Sequence, residues 1–240
     1  MNLLLLHPEQ YQNGIWTVEN PRQIQHLHQV LHVQAGDELK VGVLNGERFL
    51  AKIIALTVDK VQLIPQQQST SFSPQSPAKL PITLLLALPR PKVLTRLIQD
   101  SVAMGVEKIV LLNSYFVDKS YWSSPAVQQI NDAVYLGLEQ AQDTQAPEII
   151  LAKRFKPFVE DVLSQWATQQ PIYVAHPYAT EKMPTAIQHS CGLVIGCERG
   201  FIPYEIELLK QNGCEIRTLG QRILRTENSV AYCLGRLFSN

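Results

Sequence analysis

The sequence predicts an α/β fold: a mostly parallel sheet flanked by helices, preceded by a small, partly closed β-barrel. Three observations predict it. Short β-rich runs fill the first 65 residues, a polar proline-rich stretch follows, and beyond Pro77 strands alternate with helices. The expected boundaries are a barrel over 1–65, a linker over 66–77 and an α/β domain over 78–240, a division that 240 residues readily supply at roughly 150 per domain.

In the first segment Met1-Asn2-Leu3-Leu4-Leu5-Leu6 has no basic leader and is ended at once by His7-Pro8, so it reads as a buried strand and not as a signal peptide. Pro21 to Leu31 is helical in pattern. Glu38 to Leu44 and Arg48 to Leu56 are β-rich runs joined through Asn45-Gly46, the dipeptide suited to the positive-φ positions of a tight hairpin turn. Asp59-Lys60 turns the chain into Val61 to Ile64. The stretch from Pro65 to Pro77 has almost nothing to bury and reads as a linker.

In the second segment Ile82 to Leu88 is a continuous apolar run, as expected of a strand covered on both faces. Pro89 and Pro91 interrupt it. The next helix places Val93/Leu94, Leu97/Ile98 and Ser101/Val102 at helical spacing and stops at Gly105. Lys108 to Leu112 is a strand, Ser124 to Thr144 a long helix, Phe158 to Ala167 another, and Ile172 to Ala175 and Leu193 to Ile195 are buried strands. Pro203 opens a helix that ends near Gly213, Glu215 to Arg217 is a short strand, and Glu227 to Phe238 closes the chain as a helix. The apolar face of that helix, Val230, Leu234 and Phe238, offers surface for a homodimer.

Composition narrows the function classes. With 45% hydrophobic and 18% charged residues the chain is neither disordered nor membrane-embedded, and no run approaches the 18 or so apolar residues of a spanning helix; a cytoplasmic protein with no membrane partner is expected. Lys+Arg 21 balances Asp+Glu 21, so a nucleic acid must be held by local patches. Cys191, Cys197, Cys214 and Cys233 form no Cys-x-x-Cys pair and read as buried reduced thiols. His28 and His32, four apart, have no carboxylate or cysteine beside them, so no metal is expected.

In open α/β sheets ligands sit beyond the carboxyl ends of strands, which singles out three loops. They are Val174-Ala175-His176-Pro177, then Ile195-Gly196-Cys197-Glu198-Arg199-Gly200-Phe201, then Leu219-Gly220-Gln221-Arg222-Ile223-Leu224-Arg225-Thr226-Glu227. Glycines after strands let a ligand lie against bare main chain, although Gly-x-x-x-Gly alone is also an ordinary strand-to-helix turn. Neither glycine loop has the dinucleotide or P-loop pattern, which disfavours NAD and nucleoside triphosphates.

Taken in order, these three loops resemble the RsmE family of 16S ribosomal RNA uridine N3-methyltransferases, within the SPOUT superfamily. His26-Leu27-x-x-Val30-Leu31 before Gly36-Asp37, and Leu138-Glu139-Gln140 before Pro147-Glu148-Ile149, extend the resemblance over nearly the whole chain. It implies a trefoil knot in the α/β domain, an exception to the rule against threaded chains, and a PUA-like, RNA-binding barrel in front of it. It implies S-adenosylmethionine as cofactor, held by His176, Pro177, Ile195, Gly196, Glu198, Gly200, Leu219, Gly220, Ile223, Leu224 and Arg225. It also implies a homodimer acting on 16S rRNA within the small ribosomal subunit. Arg225 is the candidate for stabilising negative charge on uracil, or else a phosphate contact; Glu227 orients it or relays the N3 proton, or else is a helix N-terminal acid. Arg199, Arg222 and Lys92 are candidate RNA contacts.

The sequence departs from the family at the site. The family's Gly-Pro-Glu-Gly-Gly is here Gly196-Cys197-Glu198-Arg199-Gly200, and its Arg-Thr-Glu-Thr-Ala is Arg225-Thr226-Glu227-Asn228-Ser229. If Arg199 took a positive φ it would carry roughly 1–2 kcal/mol of strain, and its bulk would enter the cofactor slot unless Glu198 held it away. A non-catalytic RNA-binding or ribosome-assembly protein with a drifted loop is the alternative reading. Two surface features stay open: Lys153-Arg154-x-Lys156 with Arg90, Lys92 and Arg96 is an RNA-facing patch or a solvated face, and Tyr115, Phe116, Tyr121 and Trp122 stack on bases or pack in a core or dimer.

Overall fold

The computed structural model describes residues 2–66 and 72–238; Met1 and most of the polar half of the linker, 67–71, lie outside the described residues. Two compact units result, one of 1–78 with 134–146 and the other of 79–133 with 147–240. The chain therefore passes between units three times, and the segment 134–146, expected in the α/β domain, packs within the first unit.

The first unit is built on a six-stranded mixed sheet. Its strands are β1 (Leu4–Leu6), β2 (Tyr11–Gln12), β3 (Ile15–Val18), β4 (Glu38–Val43), β5 (Arg48–Leu56) and β6 (Val61–Pro65), paired in the order β1-β4-β5-β6-β3-β2. Only β1 and β4 run parallel; the other neighbours are antiparallel. Alternation sets the faces: Ala51, Ile53, Val61 and Leu63 are buried while Lys52, Ile54 and Ile64 look outward. Helix α1 (Pro21–Gln29) starts at Asn20, whose side chain accepts from the Arg22 and Gln23 N–H groups, and buries Ile24 and Leu27 against Leu4, Leu6 and Val18. The tight two-residue turn is not at Asn45-Gly46, where only Asn45 has a positive φ of 57°. It is at Asn13-Gly14, with φ of 50° and 85°, between β2 and β3.

The segment 134–146 is tied to this sheet by specific bonds. The Asn2 and Leu3 N–H groups donate to the Glu139 carbonyl at 3.1 Å, and the buried Glu139 carboxylate accepts from Gln23 Nε2 at 2.9 Å and faces Arg22 Nη1 at 2.8 Å. Thr144 Oγ1 donates to the Gly46 carbonyl, and the Thr144 carbonyl accepts from the Asn45 N–H at 2.8 Å. Gly42 permits this approach, since a Cβ there would lie 2.5 Å from Thr144 Cγ2.

The second unit is an all-parallel sheet of β7 (Leu80–Ala87), β8 (Val106–Leu112), β9 (Glu148–Ala152), β10 (Ile172–Ala175), β11 (Cys191–Ile195) and β12 (Glu215–Arg217), in the order β12-β10-β11-β7-β8-β9. The apolar runs of β7, β8 and β11 are buried without a break, as two-sided cover requires. Helix α2 (Pro91–Ala103) buries Leu94, Leu97, Ile98 and Val102, the stripe read from sequence. The stretch expected as one helix from Ser124 is divided into α3 (Pro125–Gln128) and α4 (Ile130–Ala141), broken at Gln129 and ended before Gln142, whose φ is 55°. The helix expected from Phe158 begins earlier. It consists of α5 (Phe155–Phe158), a π turn over Val159–Leu163 and α6 (Ser164–Ala167), and its Phe155, Phe158 and Leu163 pack with Leu85, Val110 and Val194. Helices α7 (Pro203–Gln211) and α8 (Thr226–Leu237) complete the unit.

One expectation is corrected here, and one is met. The apolar face of α8 is not left open, because Val230, Leu234 and Leu237 are buried within this chain and Phe238 is half-buried; that face therefore gives no argument for a dimer. The four cysteines are buried thiols, and desolvation pushes Cys191, Cys214 and Cys233 up to about 12. No helix among the described residues is long and apolar enough to cross a membrane, and no group of His, Cys, Asp and Glu among them is placed to hold a metal ion.

Candidate functional site

The three loops singled out by sequence meet at one end of the second sheet. Ala175 at the end of β10 pairs with Ile195 of β11 and with Arg217 of β12, so the following loops leave side by side. They enclose a cleft of about 710 Å³, within the usual size range of small-molecule sites. His176, Pro177, Ile195, Gly196, Glu198, Arg199, Gly200, Leu219, Gly220, Arg222, Ile223, Leu224, Arg225 and Glu227 all line it. Lys92 does not; it is exposed on α2, although its neighbour Val93 and the N-cap residue Arg90 line the cleft.

Each wall has a local cause. The turn after β11 closes through the Gly200 N–H bonded to the Cys197 carbonyl at 2.8 Å, which brings Gly196 so near Gly200 that an added Cβ would lie 2.9 Å from its Cα. Gly200 is the positive-φ residue, at 71°, and Arg199 is not, so the strain expected at Arg199 is absent. The guanidinium of Arg199 lies over the Phe116 ring, 4.1 Å from its centroid. Glu198 does not hold that guanidinium; its Oε1 accepts from the Arg90 N–H at 3.0 Å, at the start of α2. In the third loop Gly220 has φ of 122° and no atom within 4 Å of where a Cβ would stand, a bare main-chain wall beside open space. Thr218 Oγ1 accepts from the Gly220 N–H at 3.2 Å.

Helix α8 then starts inside the cleft. Arg225 is its N-cap, exposed, with a carbonyl that accepts from the Ser229 N–H at 2.8 Å and from Ser229 Oγ at 2.9 Å. Ser229, one of the departures from the family pattern, thus spends its hydroxyl on the helix itself. Thr226 Oγ1 donates to the Gly196 carbonyl at 3.3 Å and links the second and third loops. Glu227 stands half-buried in the first turn.

His176 Nδ1 accepts from the Tyr178 N–H at 3.3 Å, and burial lowers its pKa below the usual 6.5. Burial therefore favours the neutral ring in the folded protein, and the stability it contributes is present above pH 6.5 and lost as pH falls through the lowered value. An NMR titration of the ring should place its midpoint below that of a free histidine; a midpoint at or above 6.5 would contradict this account.

One residue that positions the site was missed. Glu205, 3% exposed, accepts from the Tyr115 N–H at 2.7 Å and from the Ile202 N–H at 3.0 Å, tying the loop after β8 to the start of α7. Desolvation raises its pKa, against the two backbone bonds. The available signal was a glutamate at the third position of a helix opened by Pro203.

Residues 76–238 match the family model described as RNA methyltransferase domain. The chain is 26% identical over its full length to ribosomal RNA small subunit methyltransferase E of Treponema pallidum, covering 91% of that protein, and 25% identical to ribosomal RNA small subunit methyltransferase E 1 of Borreliella burgdorferi, over 96% of this chain and 94% of that one. Among solved structures it superposes with a TM-score of 0.76 on ribosomal RNA small subunit methyltransferase E of Neisseria gonorrhoeae bound to S-adenosyl methionine, at 19% identity over 98% and 96% of the two chains. The same TM-score relates it to a Legionella pneumophila methyltransferase in complex with SAM, at 23% identity over 98% and 95%. These last two likenesses establish the fold. The family match takes in the whole parallel sheet and every loop of the cleft, and the chain belongs to the RNA methyltransferase domain family.

Proposed function

We propose that this protein transfers a methyl group from S-adenosylmethionine to the N3 position of a uridine in 16S rRNA, within the small ribosomal subunit. One observation carries the reading: three loops and the start of α8 converge on a single ligand-sized cleft in a chain of this family. The names of the full-length relatives support rRNA of the small subunit, and the bound ligands of the structural neighbours support the cofactor. In this reading the first unit is a PUA-like RNA-binding domain, the α/β domain begins at 78 and is knotted, and the enzyme works in the cytoplasm as a homodimer.

The residues present fit the cofactor. Gly196, Gly200 and Gly220 leave main chain bare, and Ile195, Leu219, Ile223 and Leu224 supply an apolar slot for a purine face. When bound, S-adenosylmethionine supplies a sulfonium-activated methyl electrophile. The chain must then align uracil N3 and ease loss of its proton. Arg225, exposed at the cleft edge, balances the negative charge that grows on the ring, and Glu227, one helical position inside, orients that arginine or accepts the proton. Arg199, Arg222 and, outside the cleft, Lys92 contact RNA phosphates. A non-catalytic protein with a drifted loop would have Arg199 filling the slot; its unstrained backbone and its stack on Phe116 favour the enzyme.

The test is calorimetric titration of the purified protein with S-adenosylmethionine, followed by mass spectrometry of small subunits for 3-methyluridine. Gly220→Val forces a branched side chain into a backbone region with φ of 122° and should weaken cofactor binding at least tenfold, or about 1.4 kcal/mol. Absence of cofactor binding to the unaltered protein would overturn the proposal.

A further inference from the structure

The cleft accounts for the loops after β10, β11 and β12, yet the same edge of the sheet continues over β8 and β9. There an aromatic row begins at the cleft wall. Arg199 lies on the Phe116 ring, and Phe116 meets the Tyr115 ring edge-on, with centroids 5.3 Å apart and planes at 80°. Tyr115 is 72% exposed, an unusual state for a large aromatic side chain whose own backbone is held so firmly. Its N–H is fixed at 2.7 Å by the buried carboxylate of Glu205. Farther along, Trp122 donates through Nε1 to Asn113 at 3.0 Å, and the Lys153 ammonium stands 6.0 Å from its ring centroid. A cation thus stands against a ring at two places on the loops beyond the carboxyl ends of the strands, Arg199 on Phe116 and Lys153 on Trp122, in a chain with no net charge overall.

We propose that Tyr115 is a positioning residue: an unpaired base of the RNA strand, next to the nucleotide in the cleft, stacks on its ring while Arg199 takes the adjoining phosphate. The proposal rests on the methyltransferase reading. Physical chemistry favours an RNA strand over other partners. Proteins recognise unstacked bases with aromatic faces and track the backbone with cations, and a ring held in advance loses little freedom on binding. The stack holds the Arg199 guanidinium on Phe116, the ring that meets Tyr115 edge-on, and a stacked guanidinium keeps its N–H fork able to meet a phosphate. Tyr115 would therefore act on placement of the RNA, with no part in the methyl transfer itself.

The experiment measures fluorescence anisotropy with labelled oligouridylate and with an abasic strand of equal length, on the full chain. Tyr115→Ala should weaken oligouridylate binding about tenfold, leave the abasic strand unchanged, and raise KM for RNA with little change in kcat. Tyr115→Phe, which keeps the ring, should restore binding. Equal weakening on both strands, or none on either, would overturn the proposal. So would a change in molecular mass by light scattering, which would place Tyr115 between two copies of the chain. Calorimetry with S-adenosylmethionine runs in parallel, so a protein that stacks bases but binds no cofactor refutes the methyltransferase reading alone.

Discussion

Replacing Gly196 by alanine is expected to lower cofactor affinity about a hundredfold and stability by about 1–3 kcal/mol. The new Cβ would stand 2.9 Å from Gly200 Cα and 3.1 Å from its carbonyl carbon, and backbone atoms cannot swing aside as a side chain can. The turn must open. Opening it breaks the Gly200 to Cys197 bond and pulls the Gly196 carbonyl from Thr226 Oγ1, so two of the three loops lose register together. Gly200→Ala is the natural control, because a Cβ there meets nothing within 4 Å and the change costs only the strain of a positive φ, about 1 kcal/mol. Calorimetry and thermal unfolding of both variants check the difference; equal losses would show that conformation and not crowding governs the turn.

Glu205→Ala should cost about 1–3 kcal/mol of stability although Glu205 does not line the cleft. It removes the acceptor of the part-buried Tyr115 and Ile202 N–H groups and frees the loop after β8 from α7. Glu205→Gln keeps one oxygen but turns an amide NH2 toward an N–H donor, so an intermediate loss is expected. Urea denaturation gives the ranking. A loss below 1 kcal/mol for the alanine variant would mean that water replaces the carboxylate.

The parts of the fold that could be read from sequence were those whose physics is local. Strands covered on both faces wrote themselves as apolar runs at β7, β8, β10 and β11, and α2 as a stripe of period 3.6. Strand β9 was not recognised as a strand although Ile149-Ile150-Leu151-Ala152 is an apolar run; as an edge strand it leaves Glu148 and Leu151 exposed. The hairpin of β2 and β3 was missed although Asn13-Gly14 is the same dipeptide as Asn45-Gly46, because its strands are only two and four residues long. At the site, the position after a strand end pointed to all three loops, helped by glycines in the second and third and by His176 in the first. What escaped were pairings between distant residues: Glu205 with Tyr115, 90 positions away, and Arg199 with Phe116. The family pattern drew suspicion to Arg199, but the residue that needs a glycine's freedom is its neighbour, Gly200.

The threefold passage of the chain between units has a consequence for the order of events during synthesis. When residue 78 has emerged from the ribosome the first unit still lacks 134–146, and with it the carbonyl that takes the Asn2 and Leu3 N–H groups and the carboxylate that meets Arg22. At 5–20 residues per second that piece arrives on the order of several seconds later. For that interval Leu3, Gly42 and the Gly46 carbonyl wait without their native neighbours. The amino-terminal unit is thus first in sequence yet cannot be finished first, and the strand–helix–strand passage from β7 to β8 is already synthesised before it closes.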